Sequence, residues 1–178
     1  MTNTLVDPPD LADYPGAPFP AAAVDAAVAN LRETVGWHIA PQVTETLTVH
    51  GSNTELLVLP TLKIVTVTAV RDVSGTTPVT LTGYRVNSKA GLLQREEGWP
   101  DGFEVVEVDL THGLTECPKD LLPAVAWFCQ RQTVDASVAS ESLGSWSESY
   151  SNPASSFRTP VVEYPIETIA RYTVWTET

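Results

Sequence analysis

The sequence predicts an α+β fold: a helical bundle of two main helices, an antiparallel β-sheet inserted between them, and an extended C-terminal arm. Three observations carry this expectation. Residues 20–35 show a helical stripe, with Val24, Val28, Leu31 and Val35 at i, i+4, i+7 and i+11. Residues 43–111 switch to period two, the signature of strands. Helical spacing returns between Pro118 and Ala136, and the chain then becomes polar, serine-rich and turn-rich from Ser137 onward. The expected organisation is a core over 1–138, opening on a proline-rich lead-in, and an arm over 139–178.

The lead-in holds Pro8, Pro9, Pro15, Pro18 and Pro20 together with Asp7, Asp10 and Asp13. Proline at this density favours extended and turn backbone over long helix. The acidic residues do not make a calcium loop, because the glycine and terminal glutamate of such a loop are missing. In the first helix Pro20 suits the first turn and Gly36 the stop.

In the middle, Val43, Glu45, Leu47 and Val49 alternate with Thr44, Thr46, Thr48 and His50. Gly51-Ser52-Asn53 then reads as a turn, with Leu56–Leu59 as the hairpin partner of that first strand. A β-branched run from Lys63 to Val73 ends at Ser74-Gly75. Tyr84-Arg85-Val86 and Leu92-Leu93 flank a turn at Asn87–Gly91 as a second hairpin. Trp99-Pro100-Asp101-Gly102 turns the chain into a last strand, Phe103–Leu110, giving five or six antiparallel strands. In the second helix Leu121, Val125, Phe128 and Cys129 share a face, and Pro123 belongs in the first turn. Ile166–Tyr172 reads as a short helix.

With 22 acidic and 10 basic residues, the formal charge is −12. Gripping a phosphate backbone requires a basic surface, so the chain either never meets nucleic acid or meets it as a repelling wall, an acidic lumen that would let DNA pass without sticking; composition leaves both open. No apolar run has the length of a membrane span, and residues 1–11 carry no signal-peptide pattern; a protein used without secretory export is expected. Cys117 and Cys129 read as free thiols, and His38, His50 and His112 as neither metal ligands nor bases. His38 is expected to pack and His112 to cap a turn. Glu107 and Asp109, two apart on a strand, read as a solvated face. The Gly144-Ser145-Trp146-Ser147-Glu148 segment lacks the spacing of a serine-hydrolase elbow, and no phosphate-binding loop is present. No catalytic, metal or cofactor site follows, and an enzyme is not expected.

The arm is polar yet carries Trp146, Tyr150, Phe157, Tyr164, Tyr172 and Trp175. Disordered tails are poor in aromatics. These six rings are therefore the expected partner interface, the alternative being that they fold back on the core.

Several segments resemble head-to-tail connector (adaptor) proteins of actinobacterial tailed phages and prophages. Trp37-His38-Ile39-Ala40-Pro41 looks like their "GWHIAP" corner, and Leu57-Val58-Leu59-Pro60-Thr61-Leu62 with Val65-Thr66-Val67 resembles their "LLLPxxxVxxV" strand pair. Trp99-Pro100-Asp101-Gly102-Phe103 leading to Val108-Asp109-Leu110-Thr111-His112-Gly113 is similar to their last hairpin. Cys117-Pro118-Lys119-Asp120-Leu121 matches the start of their second long helix, Ser140–Ser147 their "SExxGxxS" segment and Ala170-Arg171-Tyr172 their closing "RY". Pro123 departs from the pattern.

The resemblance implies a virion protein at the head–tail interface, assembled in the host cytoplasm. It implies a ring, usually a dodecamer, with the arm on the portal protein, a stopper or tail terminator protein on the other side, and genomic DNA passing through the lumen. A ligand-binding β module, such as a carbohydrate-binding tail accessory, is the alternative; its aromatic platform would need two or more of Trp37, Trp99 and Trp127 exposed in a row on one face. A stopper or tail terminator is a third reading. Deleting 139–178 is expected to leave a folded core.

Overall fold

The computed structural model describes residues 5–134, 141–143, 146–148 and 165–174. The chain divides into two compact units, one of residues 1–34 with 118–171 and the other of residues 35–117 with 172–178. The 138/139 boundary expected between core and arm falls outside the described residues.

The helical unit begins with a 3-10 turn, Pro8–Leu11, capped by Asp7, whose backbone N–H donates to Asp10 Oδ2 at 3.0 Å. Short 3-10 geometry suits this proline-rich run, because the prolines remove donors that a longer helix would need. The lead-in is more than a tether: Leu5, Val6, Leu11 and Phe19 are all buried. Helix α1 spans Ala21–Val35, and the predicted stripe of Val24, Val28, Leu31 and Val35 is its buried face.

Helix α2, Leu122–Val134, follows a 3-10 turn at Lys119–Leu121. Pro123 sits in its first turn, where a missing N–H costs nothing. Ala124, Val125, Ala126 and Cys129 are fully buried, and the Cys129 thiol faces the Ala23 carbonyl of α1 at 3.6 Å. Burial pushes that thiol up to about 11, and neither cysteine forms a disulfide. Gln130 Nε2 donates to the Pro15 carbonyl, fastening the lead-in to α2. Helix α3, Ile166–Arg171, buries Ile169, and Arg171 pairs with Asp120 at 3.5 Å.

The β unit has seven strands in two sheets. Strands β1 (Val43–Ser52), β7 (Asp101–His112), β3 (Ile64–Asp72) and β4 (Val79–Thr80) form one sheet in that spatial order. Strands β2 (Leu56–Val58), β6 (Leu92–Arg95) and β5 (Tyr84–Asn87) form the other. The β5–β6 hairpin is as predicted, but the expected pairing of β1 with β2 is not. β1 pairs with β7 from Val43↔His112 to Ser52↔Asp101, while β2 pairs with β6. A three-residue β2 offers few ladder bonds, whereas β7 matches β1 over its whole length and covers its apolar stripe.

One core fills the space between the sheets. Leu57, Leu59 and Leu93 meet Ile64, Val70, Val106, Val108 and Leu110 around Trp99, which is 2% exposed. Its indole N–H donates to the Glu55 carbonyl at 3.0 Å, so the ring brings no orphan donor into the core. Gly91 is required here, since a Cβ at φ +64 would fall inside the Thr61 carbonyl. Two further strands, β8 (Glu141–Leu143) and β9 (Trp146–Glu148), pair antiparallel with Leu143 opposite Trp146.

Candidate functional site

Alternation along β7 divides the four-stranded sheet into two chemically distinct faces. On the outer face the Arg71 guanidinium grips both Asp109 oxygens, at 2.7 and 2.8 Å, and reaches Glu107 at 3.3 Å. Thr46 donates to Asp109 at 2.7 Å, and the Thr44 and Thr111 hydroxyls meet at 2.8 Å. The expected solvated carboxylate face is thus an anchored one. Hydrogen bonds from Arg71 and Thr46 hold the Asp109 carboxyl below its ordinary range, and the same carboxylates raise Arg71.

Near one end of the sheet, a bulge between Val49 and Gly51 interrupts the β1–β7 register. There Glu104 takes φ +52 and donates its N–H to His50 Nδ1 at 3.0 Å. The bulge projects Phe103, 76% exposed, with its ring stacked on His50 at 4.3 Å. Leu56 and Val58 on β2 are also exposed, at 49% and 53%. Large apolar groups left in water in this way are candidates for contact with another protein.

At the other end the core face stops being apolar. His112 closes β7 at 2% exposure instead of capping an open turn, and its Nε2 lies 2.7 Å from Glu45 Oε1. Glu45 occupies the inward stripe of β1 between Val43 and Leu47. His38, half-buried, meets His112 edge-to-face at 4.5 Å between ring centroids.

The corner that carries His38 is conformationally unusual. Ile39 is fully buried at φ +67, with the Ala40 N–H donating back to the His38 carbonyl at 2.9 Å as a tight γ-turn. A β-branched residue rarely adopts positive φ, and such outliers gather at functional sites. The Ile39 carbonyl accepts from Leu114 N–H at 2.8 Å, and His38 Nε2–H donates to the Pro41 carbonyl at 2.9 Å. Gly113, at φ +106, lets β7 pass beneath: a Cβ there would lie 2.5 Å from His38 Nε2. The "GWHIAP" corner therefore packs on the end of β7, 71 residues beyond Pro41 when counted to His112.

Of the six aromatic residues expected at a partner interface, Tyr150, Phe157, Tyr164 and Trp175 lie outside the described residues. Trp146 stands in β9. Tyr172 is half-buried, and its carbonyl accepts the Trp37 indole N–H at 2.7 Å, while Val174 N–H donates to the Val35 carbonyl at 2.9 Å. Residues 172–174 are therefore anchored in the β unit, and removing 139–178 would strip a buried indole of its acceptor. Trp37 is 6% exposed and Trp99 2%, so neither offers the face of an aromatic platform.

Sequence reasoning missed the His38–Glu45–His112 cluster. The available signal was a glutamate interrupting the apolar stripe of β1. No family model matches the chain, and no curated protein matches it. Among solved structures it is similar to a chain in the neck of a native GTA (gene transfer agent) particle computed with C12 symmetry. That match has a TM-score of 0.53 at 20% identity and covers 100% of this chain and 97% of the other. A chain in the neck of an empty GTA particle computed with C6 symmetry gives a TM-score of 0.51 at 20% identity, with the same coverage. With two main helices and antiparallel sheets, the chain thus has a fold similar to that of a particle-neck protein.

Proposed function

We propose that this chain is a structural subunit of a phage-type neck: a head-to-tail adaptor that assembles as a ring between the portal and the tail-side connector proteins. The observation that carries the reading is the end-to-end match in fold to a neck protein. The symmetry of the particles containing those relatives favours a ring of identical copies, a dodecamer on the C12 example. The charge of −12 suits a wall past which DNA slides. The function is assembly and passage, not catalysis.

In this reading the exposed Phe103 and the aromatics of residues 139–178 meet neighbouring proteins, the arm docking on the portal. A stopper or terminator protein joins the opposite side. The burial of Trp37 and Trp99 removes the feature that a carbohydrate-binding platform would need.

The test is the mass and shape of the purified chain, alone and mixed with its portal, by light scattering and negative-stain imaging. Rings, or a monomer that becomes a ring on the portal, are expected. A chain that stays monomeric and ignores the portal would refute the reading. Excising 149–164, which keeps α3 and the Tyr172–Val174 anchor, should abolish portal binding while leaving the fold.

A further inference from the structure

We propose that His38, Glu45 and His112 form a binding site for one divalent transition-metal ion of the zinc class. The inference rests on the β unit alone and is independent of the neck reading.

The three residues offer ligand atoms that all lie within 4.8 Å of one another. Two imidazoles and a carboxylate are the donor set that borderline-soft ions such as Zn²⁺ and Co²⁺ prefer, and three protein ligands leave a fourth position for water. Metal–ligand bonds of about 2.0–2.1 Å put tetrahedral ligand atoms ~3.3 Å apart, so the cluster must contract by about 1.5 Å at its widest. Glu45 can supply much of that movement, because its side chain is 48% exposed on the open end of an edge strand. The same exposure gives an ion its way in.

A second observation points to a ligand. His112 is 2% exposed, and its Nδ1 is a buried polar atom with no hydrogen-bond partner. Buried nitrogens are nearly always satisfied, so an orphan in an otherwise well-paired core asks for a reason. The position itself sharpens the question. His112 faces Val43 across the ladder and lies diagonal to Glu45 on the core side of the sheet. Valine at both positions would have extended the apolar core, and local rules are broken where a protein has a use for the exception.

The surroundings hold the imidazoles in place. His38 Nε2–H is fixed by the Pro41 carbonyl, and His112 Nε2 is fixed by Glu45. The His38 ring is thus anchored to an oxygen outside the ligand set, the arrangement that sets tautomer and orientation in metal-binding histidines, while Glu45 must leave His112 Nε2 to enter the ion's shell. The buried, strained Ile39 between His38 and the Pro41 carbonyl makes this corner rigid. An overall charge of −12 favours cation entry.

The experiment uses the full chain after chelator treatment and dialysis, titrated with Co²⁺ by visible absorption and with Zn²⁺ by calorimetry. Expected is saturable binding of one ion per chain, with the d–d absorption of tetrahedral cobalt and no thiolate charge-transfer band. Glu45→Gln and His38→Gln should each weaken binding tenfold or more, while His50→Gln leaves it unchanged. Thermal unfolding of each metal-free variant shows whether its fold survives. Should His38→Gln fail to fold, Glu45→Gln, at a half-exposed position, still decides. Absence of saturable binding, a thiolate band assigning the ion to Cys117, or wild-type affinity in Glu45→Gln would each overturn the proposal.

Discussion

Three glycines at positive φ give a graded test of the packing at the strand ends. At Gly83, φ is +76 and an added Cβ meets nothing within 4 Å, so Gly83→Ala reports backbone strain alone. That strain is about 1–2 kcal/mol, and the stiffer unfolded chain offsets roughly half of it, leaving a net loss near ~1 kcal/mol. At Gly113, φ is +106 and the Cβ would stand 2.5 Å from His38 Nε2 and 2.9 Å from the Pro41 carbonyl. Relief requires His38 to rotate, which costs about 1 kcal/mol for its hydrogen bond to Pro41 and about 1 kcal/mol for an unfavourable rotamer, and the Pro41 backbone oxygen must shift as well. Gly113→Ala should therefore lose at least about 3 kcal/mol in all. With a urea dependence of about 2 kcal/mol per molar, its midpoint should fall at least about 1 M below that of Gly83→Ala. At Gly91 the obstacle is the backbone oxygen of Thr61, which cannot rotate away, and Gly91→Ala should not yield soluble folded protein. Equilibrium unfolding followed by tryptophan fluorescence measures Gly83→Ala and Gly113→Ala, since Trp99 sits in the β core, and the soluble yield on expression reports on Gly91→Ala. Equal midpoints for Gly83→Ala and Gly113→Ala would refute the packing of the His38 corner on β7.

Other consequences are as direct. The Asp109 carboxyl is depressed in the fold, so its contribution is present above the ordinary carboxylate range near pH 4 and lost as pH falls below it. Arg71→Met should flatten that acid-side loss in a pH series of thermal melts; an unchanged slope would contradict it. In native protein a thiol reagent should modify the half-exposed Cys117 and spare Cys129, which is buried with its thiol held up to about 11; in denaturant both should react. Fast modification of two thiols in native protein would disprove the α1–α2 packing at Ala23. Phe103→Asp, at an exposed bulge, should leave the melting temperature within a few degrees of wild type and weaken ring or portal assembly in light scattering. Unimpaired assembly would remove Phe103 from the interface.

What the sequence made legible was local. The stripe of α1, the hairpin of β5 and β6 and the first-turn Pro123 of α2 each depend on residues within one or two turns of one another. The error at β1 and β2 has the same root: Gly51-Ser52-Asn53 is a sound turn signal, and nothing nearby says that the better partner begins at Asp101. The candidate cluster joins residues 38, 45 and 112, and only the β1–β7 register brings them together. Glu107 and Asp109 were rightly placed on one face, but their common cation, Arg71, belongs to a strand whose register no local pattern specifies.

The order of strands also dictates how the β unit comes into being. β7 lies between β1 and β3, yet it is the last strand of its sheet to be synthesised. Until it emerges from the ribosome, β1 and β3 have no shared neighbour, and a nascent chain ending before residue 101 carries two long unpaired edges. Such non-local pairing slows folding. The arrival of a single twelve-residue strand then completes both ladders, closes the core and brings His112 to His38 in one event.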